Sequence, residues 1–259
     1  MNSEDRHGNS ENVRSVTRAF KILEVFGDGT TGLTLSEIAK ASSLTRGTAR
    51  RLLLTLHSIG YVSVDRSRFV LSPKVLTLAH SYLSAVGLTD VIRQIAPDII
   101  EDSEHISASA AVLDDGDIVF VYGQPANGII RSYVAVGQRL PAYSTSMGRV
   151  LLAHQPSEKI QEILFDSTIA KLTTYTEVDP CAIQRSIYLA KENGYSICDR
   201  EFDVTIKSLA VPIFDHNGAC IAAISISCHN LNINFDDVVE IFLPKLQRAS
   251  IQISRNLRI

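Results

Sequence analysis

No apolar run in this 259-residue sequence approaches the roughly 18–20 residues that a membrane-spanning helix needs, so no membrane partner is expected. The first twelve residues are polar and lack the apolar stretch of a secretion signal; they read as a disordered leader on a cytoplasmic protein. Cysteine is scarce, and Cys181, Cys198, Cys220 and Cys228 all fall in the last third of the chain. None belongs to a CxxC pair, and no His and Cys cluster has zinc-ligand spacing, so no metal is expected and the thiols read as free. Catalytic signatures are missing too: there is no Gly-x-Ser-x-Gly elbow, P-loop, dinucleotide fingerprint or HExxH pair. His57, His80, His105, His154, His216 and His229 are scattered singly. The acid pairs Asp114-Asp115 and Asp236-Asp237 suit turns and helix starts, where carboxylates accept from backbone donors. Neither an enzyme nor a cofactor is expected.

What is present is an ordinary globular composition, 45% hydrophobic and 20% charged, in a chain long enough for two domains. The formal charge of −3 conceals an asymmetry. Residues 13–74 carry ten basic against four acidic side chains, a net of +6, whereas residues 91–259 carry fourteen against twenty, a net of −6. A small basic module joined to a larger acidic one implies that the first part meets a polyanion.

The basic module has a recognisable order. Ser15 to Phe26 places Val16, Ala19, Phe20, Leu23 and Phe26 at helical spacing, ended by Gly27. Thr34 and Glu37 form a capping-box pattern that opens a second helix with Leu35, Ile38 and Ala39 inward. After a short link, Thr45 caps a third helix with a stripe of Ala49, Leu52, Leu53, Leu56 and Ile59, closed by Gly60. Thr45 at the cap, and Arg46, Gly47, Thr48, Arg50 and Arg51 in the first two turns largely off that stripe, are the candidate DNA contacts of this helix. Two helices around a tight link, the second presenting basic and hydroxyl residues at its start, make a helix-turn-helix that enters the major groove of double-stranded DNA. Tyr61–Val64 and Arg68–Leu71 around a polar turn read as a wing, with Arg66 and Arg68 placed for phosphate or minor-groove contact.

Further along, Ile118–Tyr122, Ala210–Phe214 and Cys220–Ser227 read as strands, and Met147–His154 and Ala182–Glu192 as helices. This mixture fits an α+β domain.

Several segments together resemble the IclR family of bacterial transcriptional regulators: Ser15–Phe26, Leu33–Lys40, Leu44–Leu53 (LTRGTARRLL) and Gly60-Tyr-Val, followed by Leu140–Ala153 (LPAYSTSMGRVLLA), Gly194–Phe202, Ser208–Asp215 and Ala222–Ser227. The resemblance implies a winged helix-turn-helix over residues 13–74, a linker helix over 75–90, and an effector-binding domain over 91–259. That second domain would be GAF-like or profilin-like, an antiparallel sheet flanked by helices. It also implies a dimer or tetramer that binds an operator and a small organic acid. Carried over position by position, it points to Ser146, Met147, Cys198, Ser208, Ser225 and Ser227 as ligand contacts, with Leu140 and Ile206 as apolar wall. Ser225 and Ser227 are two apart and share a strand face, which agrees.

Three positions depart from the glyoxylate- or pyruvate-binding form of the family. Cys198 stands where an Asp would sit, Ser208 replaces a Cys, and Ser146-Met147 replaces smaller residues. The Arg139–Arg149, Leu71–Leu76 and Ser81–Ser84 segments look closer to regulators of aromatic-acid breakdown through the β-ketoadipate pathway. An aromatic or dicarboxylic acid, such as protocatechuate or 4-hydroxybenzoate, is therefore the expected effector. Arg131 is a candidate carboxylate partner by its bidentate guanidinium, or else a member of an exposed ion pair. The competing classes are a protein-interaction module and a DNA-tethered enzyme acting on a small acid.

Overall fold

The computed structural model describes residues 13–27, 32–101, 103–126, 134–165, 169–229 and 234–257; the expected leader, residues 1–12, lies outside them. The chain divides into two compact units, Met1–Tyr82 and Leu83–Ile259.

In the first unit, α1 (Arg14–Glu24), α2 (Leu35–Ala41) and α3 (Arg46–Ser58) precede a hairpin of β1 (Val62–Asp65) and β2 (Arg68–Leu71). The capping box opens α2: the Thr34 N–H donates to Glu37 Oε2 at 2.7 Å, and the Glu37 N–H donates to Thr34 Oγ1 at 3.3 Å. The helix stops through a Schellman arrangement, in which the Ser43 N–H donates to Lys40 O and the Leu44 N–H to Ala39 O. Ser43 occupies the left-handed position, with φ of 55°, that glycine usually takes. Thr45 then caps α3 by accepting the Thr48 N–H. Arg66 and Ser67, both at positive φ, form the two-residue turn that matches strand twist in a hairpin. Leu33 and Phe69 exchange backbone hydrogen bonds, which ties the segment before α2 to the wing.

One detail of the helical pattern is corrected. Ile22, not Val16 or Phe20, is the α1 side chain that fills the core with Ile38, Ala49, Leu53, Leu56 and Val62. Val16 and Phe20 are 52% and 54% exposed. Ile59, expected in the α3 stripe, is also exposed, because it lies at the C-cap where the chain is already turning away. Leu52 is only partly buried.

The linker helix is likewise shorter than 75–90. Helix α4 (Val75–Val86) stops at Gly87, whose φ of 62° breaks the helical path, and residues 88–90 open α5 (Leu88–Ile100).

The second unit is built on six antiparallel strands: β3 (Ile106–Asp114), β4 (Asp117–Gln124), β5 (Arg139–Pro141), β6 (Ser196–Asp199), β7 (Lys207–Phe214) and β8 (Cys220–Cys228). Their order is β5-β4-β3-β8-β7-β6. Helices α6 (Ser146–Leu152), α7 (Ser157–Phe165), α8 (Pro180–Asn193) and α9 (Phe235–Asn256) complete the unit. Alternation along each strand creates two cores. Ile106, Ala108 and Ala110 of β3, with Ile224 and Ile226 of β8, pack under α5 and α9. Ala111, Ala210 and Ala223 face the opposite side, where α6, α7 and α8 cover them with Val150, Leu151, Ile160 and Ile183. The small alanines let α6 approach the sheet closely, and Gly148 of α6 lies so near Ala142 that a Cβ there would collide with its backbone. The fold is therefore α+β, an antiparallel sheet flanked by helices. No single helix among the described residues is long and apolar enough to cross a membrane.

Candidate functional site

The face of the sheet that carries Ala111 and Ala223 continues, toward the start of β3, into hydroxyls instead of hydrocarbon. Register places Ser107 opposite Ser227, Ser227 opposite Ser208, and Ser208 opposite Cys198. A row of four short polar side chains thus crosses β3, β8, β7 and β6. One step deeper, Ser109 faces Ser225, with their Oγ atoms 3.0 Å apart. These residues form one wall of a cavity with about 690 Å³ of empty space, its mouth included. Ile118, Phe120, Val134, Leu140, Met147, Phe202 and Ile206 supply apolar surface. The mixture of apolar wall with convergent polar groups is that of a small-molecule site.

Helix α6 begins at this cavity. Thr145 caps it by accepting the Gly148 N–H at 3.0 Å, and the Ser146 hydroxyl donates to Ser208 Oγ at 2.8 Å. The Gly148 N–H is used by that cap, so of the first turn only the Ser146 and Met147 N–H groups are left without an acceptor within the helix, beside the Ser146 hydroxyl. An anion placed there meets hydroxyls and backbone N–H groups together.

Of the two acids in the wall, Glu201 is paired with a cation. Glu201, which lines the cavity, accepts from Arg149 Nη2 at 2.7 Å, and Arg149 Nε donates to Tyr143 O at 3.0 Å. Burial pushes the Cys198 thiol up to about 12 against the lowering pull of Arg149, so it is a neutral thiol. Hydrogen bonds from the Thr205 hydroxyl and N–H hold the Asp203 carboxyl below its ordinary range, so it is ionised at neutral pH. Burial pulls the His229 imidazole below its ordinary value, opposed by Asp203, and its Nε2 lies 3.0 Å from Ser107 Oγ.

Of the expected ligand residues, Ser146, Met147, Cys198, Ser208, Ser225, Ser227, Leu140 and Ile206 all line this one cavity. Arg131 lies outside the described residues.

In the first unit, Arg46, Gly47, Arg50 and Arg51 are exposed along the start of α3, and Thr48 is half-buried beside them. Among the described residues, none of Arg46, Arg50, Arg51 or Arg66 uses its guanidinium in a hydrogen bond or ion pair, so these cations face solvent. Thr45 is occupied as the helix cap. Arg68 differs: it donates to Gly32 O at 2.9 Å and lies 3.5 Å from Glu37, so its side chain braces the wing against α2.

Comparison with known proteins gives this arrangement its context. Residues 15–66 match the IclR helix-turn-helix domain, and residues 80–255 match the bacterial transcriptional regulator IclR C-terminal domain. The chain belongs to the IclR family of bacterial transcriptional regulators. Like other IclR proteins it is a regulator with a DNA-binding module, not an enzyme. It is 33% identical to the Pca regulon regulatory protein of Pseudomonas putida over 94% of this chain and 84% of that one. It is 27% identical to the p-hydroxybenzoate hydroxylase transcriptional activator of Acinetobacter baylyi, over 95% of this chain and 92% of that one. The second is named for an enzyme acting on an aromatic acid, p-hydroxybenzoate, in line with the aromatic-acid subgroup that the sequence resembles. The crystal structure of an IclR homologue from Microbacterium hydrocarbonoxydans complexed with 4-hydroxybenzoate superimposes with a TM-score of 0.78, at 24% identity, over 94% of this chain and 98% of that one.

Several IclR pocket residues of this chain escaped the sequence reading. Ser107 and Ser109 come from β3, Phe120 and Gln124 from β4, and Glu201, Asp203 and His229 from segments at the strand ends. Only strand pairing brings them to the site. The sole sequence signal was the Ser107-Ala-Ser109 alternation, which matches that of Ser225 and Ser227.

Proposed function

We propose that this IclR regulator binds a small monocyclic aromatic acid of the 4-hydroxybenzoate and protocatechuate class in its second unit, and that the ligand alters its affinity for an operator. The observation that carries the reading is the cavity itself. It has aromatic and aliphatic walls for a ring, Phe120 and Phe202 among them, and donors grouped at Ser146, Ser208 and the start of α6 for a carboxylate. The relative named for p-hydroxybenzoate hydroxylase and the 4-hydroxybenzoate complex of a family member support this choice. Cys198, a neutral thiol where the glyoxylate-binding form of the family has an acid, separates this pocket from that form.

DNA contact is assigned to the start of α3, with Arg46, Gly47, Thr48, Arg50 and Arg51 in the major groove and Arg66 at the wing tip on the backbone. Thr45 and Arg68 hold those elements in place. Self-association as a dimer or tetramer is part of the proposal. The exposed Val13, Val16 and Phe20, which follow one another along α1, support it.

Calorimetry of the full chain with 4-hydroxybenzoate and protocatechuate tests the ligand class, and DNA binding with and without each acid tests the coupling. Heat and a thermal shift with at least one acid, together with altered operator affinity, are expected, since coupling between two ligands is reciprocal. No heat and no thermal shift with either acid overturns the aromatic-acid reading.

A further inference from the structure

The donors at Ser146 and Ser208 account for only one end of an aromatic acid. Two strand spacings from Ser208 along the serine row, about 10 Å, the cavity carries Ser107 with His229 beside it, and Asp203 of the β6–β7 loop lines the same cavity close enough to act on the charge of His229. We infer that this trio reads a hydroxyl on the ligand ring, and so makes the protein discriminate a hydroxylated benzoic acid from benzoic acid itself; the inference rests on the function proposed above.

The argument starts with charge. Both Oγ1 and the backbone N–H of Thr205 donate to Asp203 Oδ1, at 2.7 and 2.8 Å, and the carboxylate so held is an acceptor only. An ionised Asp203 repels the carboxylate of an incoming acid, whereas Glu201, the other acid in the wall, is neutralised by Arg149. The ligand carboxylate is thereby directed to the Ser146 and Ser208 hydroxyls, and the opposite substituent meets the trio. A ring hydroxyl suits that position because it donates and accepts at once. It can donate to the acceptor atoms of Asp203 and accept from Ser107 or His229.

His229 supplies the adaptable member. Its Nε2 is 3.0 Å from Ser107 Oγ, and among the described residues its Nδ1 has no protein partner. A neutral imidazole offers one donor and one acceptor, and the Ser107 hydroxyl can rotate to complement either tautomer. A serine, a histidine and an aspartate together also have the composition of a hydrolytic triad. The hydrogen bonds of Asp203 run to Thr205, however, and none runs to His229, so the relay between acid and base that such chemistry requires is missing.

The consequence of a missing ring hydroxyl is asymmetric, because a site built to pair with a hydroxyl leaves its own polar groups unpaired when the hydroxyl is absent. The experiment is a cycle of two ligands and three proteins. Affinities of 4-hydroxybenzoate and benzoate are measured by calorimetry on the full chain, on His229→Leu and on Ser107→Ala, with the thermal midpoint of each variant as the folding control. The unaltered protein is expected to prefer 4-hydroxybenzoate by about tenfold or more, the scale of one buried hydrogen bond that must otherwise go unmade. His229→Leu should weaken 4-hydroxybenzoate by a similar factor and leave benzoate within about twofold, so the preference collapses. Ser107→Ala gives the same selective loss and serves if the leucine variant fails to fold. Equal affinity of the unaltered protein for both acids overturns the inference and leaves the proposed function standing, as does a variant that weakens both acids alike. Failure of 4-hydroxybenzoate, benzoate and protocatechuate alike to bind the unaltered protein overturns the proposed function and this inference with it.

Discussion

Arg149 Nη2 lies 2.7 Å from Glu201 Oε2, and the two side chains are only 6% and 11% exposed. The same guanidinium donates through Nε to Tyr143 O, and the same carboxylate oxygen accepts the Glu177 N–H at 3.2 Å. This pair therefore connects α6 to the β6–β7 loop, both of which line the cavity, and to the approach to α8.

Removing one partner of such a pair leaves an uncompensated buried charge, which typically costs 3–5 kcal/mol, whereas replacing both by apolar groups often costs far less. Glu201→Leu should lower the stability of the chain by about that amount, and the double change Arg149→Met with Glu201→Leu should recover a large part of it. Urea unfolding of the unaltered protein, of Arg149→Met and Glu201→Leu singly, and of the double variant measures this directly. A double change that costs the sum of the two single changes would show that the pair is not coupled.

Arg46 and Arg50 sit one turn apart on the exposed side of α3, free of protein partners. Each change to Ala should weaken operator binding, and where the side chain contacts phosphate it should also lower the salt slope by about one counterion. Binding isotherms at several salt concentrations check both quantities. Arg68→Ala should act differently, by loosening the contacts of the wing with Gly32 and Glu37.

The native His229 imidazole binds its proton less readily than an unfolded histidine, whose value is near 6.5. Between the lower native value and about 6.5 the unfolded chain therefore binds more protons, and stability rises with pH across that window. Acidification from pH 7.5 to 5.5 should lower the urea midpoint, and His229→Leu should flatten that dependence. A midpoint unchanged by pH in the unaltered protein would contradict the assigned direction.

The four thiols should also differ in reactivity. Cys181 is exposed at the start of α8, Cys198 and Cys228 are buried, and burial pushes Cys220 as well as Cys198 up to about 12. Because the thiolate is the reactive form, a disulfide reagent at pH 8 should titrate one thiol rapidly in the native protein and the remainder only on unfolding. Cys181→Ser should abolish the rapid phase.

Local signals carried the sequence reading a long way. Thr34 with Glu37, Thr45 with Thr48, and the turn around Arg66 and Ser67 concern neighbours within a few residues, so their hydrogen bonds follow from order along the chain. Family resemblance then brought eight of the cavity residues to light before any fold was known. The face of α1 was misjudged because both sides of the helix carry large apolar residues, Phe20 and Ile22 lying roughly 200° apart on the helical wheel. Which of them meets α3 depends on where the partner helix lies.

The sequence by itself determined the two-module organisation, the family, the capped helices and wing of the first unit, and the strand face shared by Ser225 and Ser227. Only the tertiary structure decided that Ser107 pairs with Ser227, that Ser227 pairs with Ser208, and that His229 and Asp203 meet at the cavity. The reason is physical: strand alternation fixes which face a side chain takes, but register across strands more than a hundred residues apart is fixed by how the whole sheet and its covering helices pack.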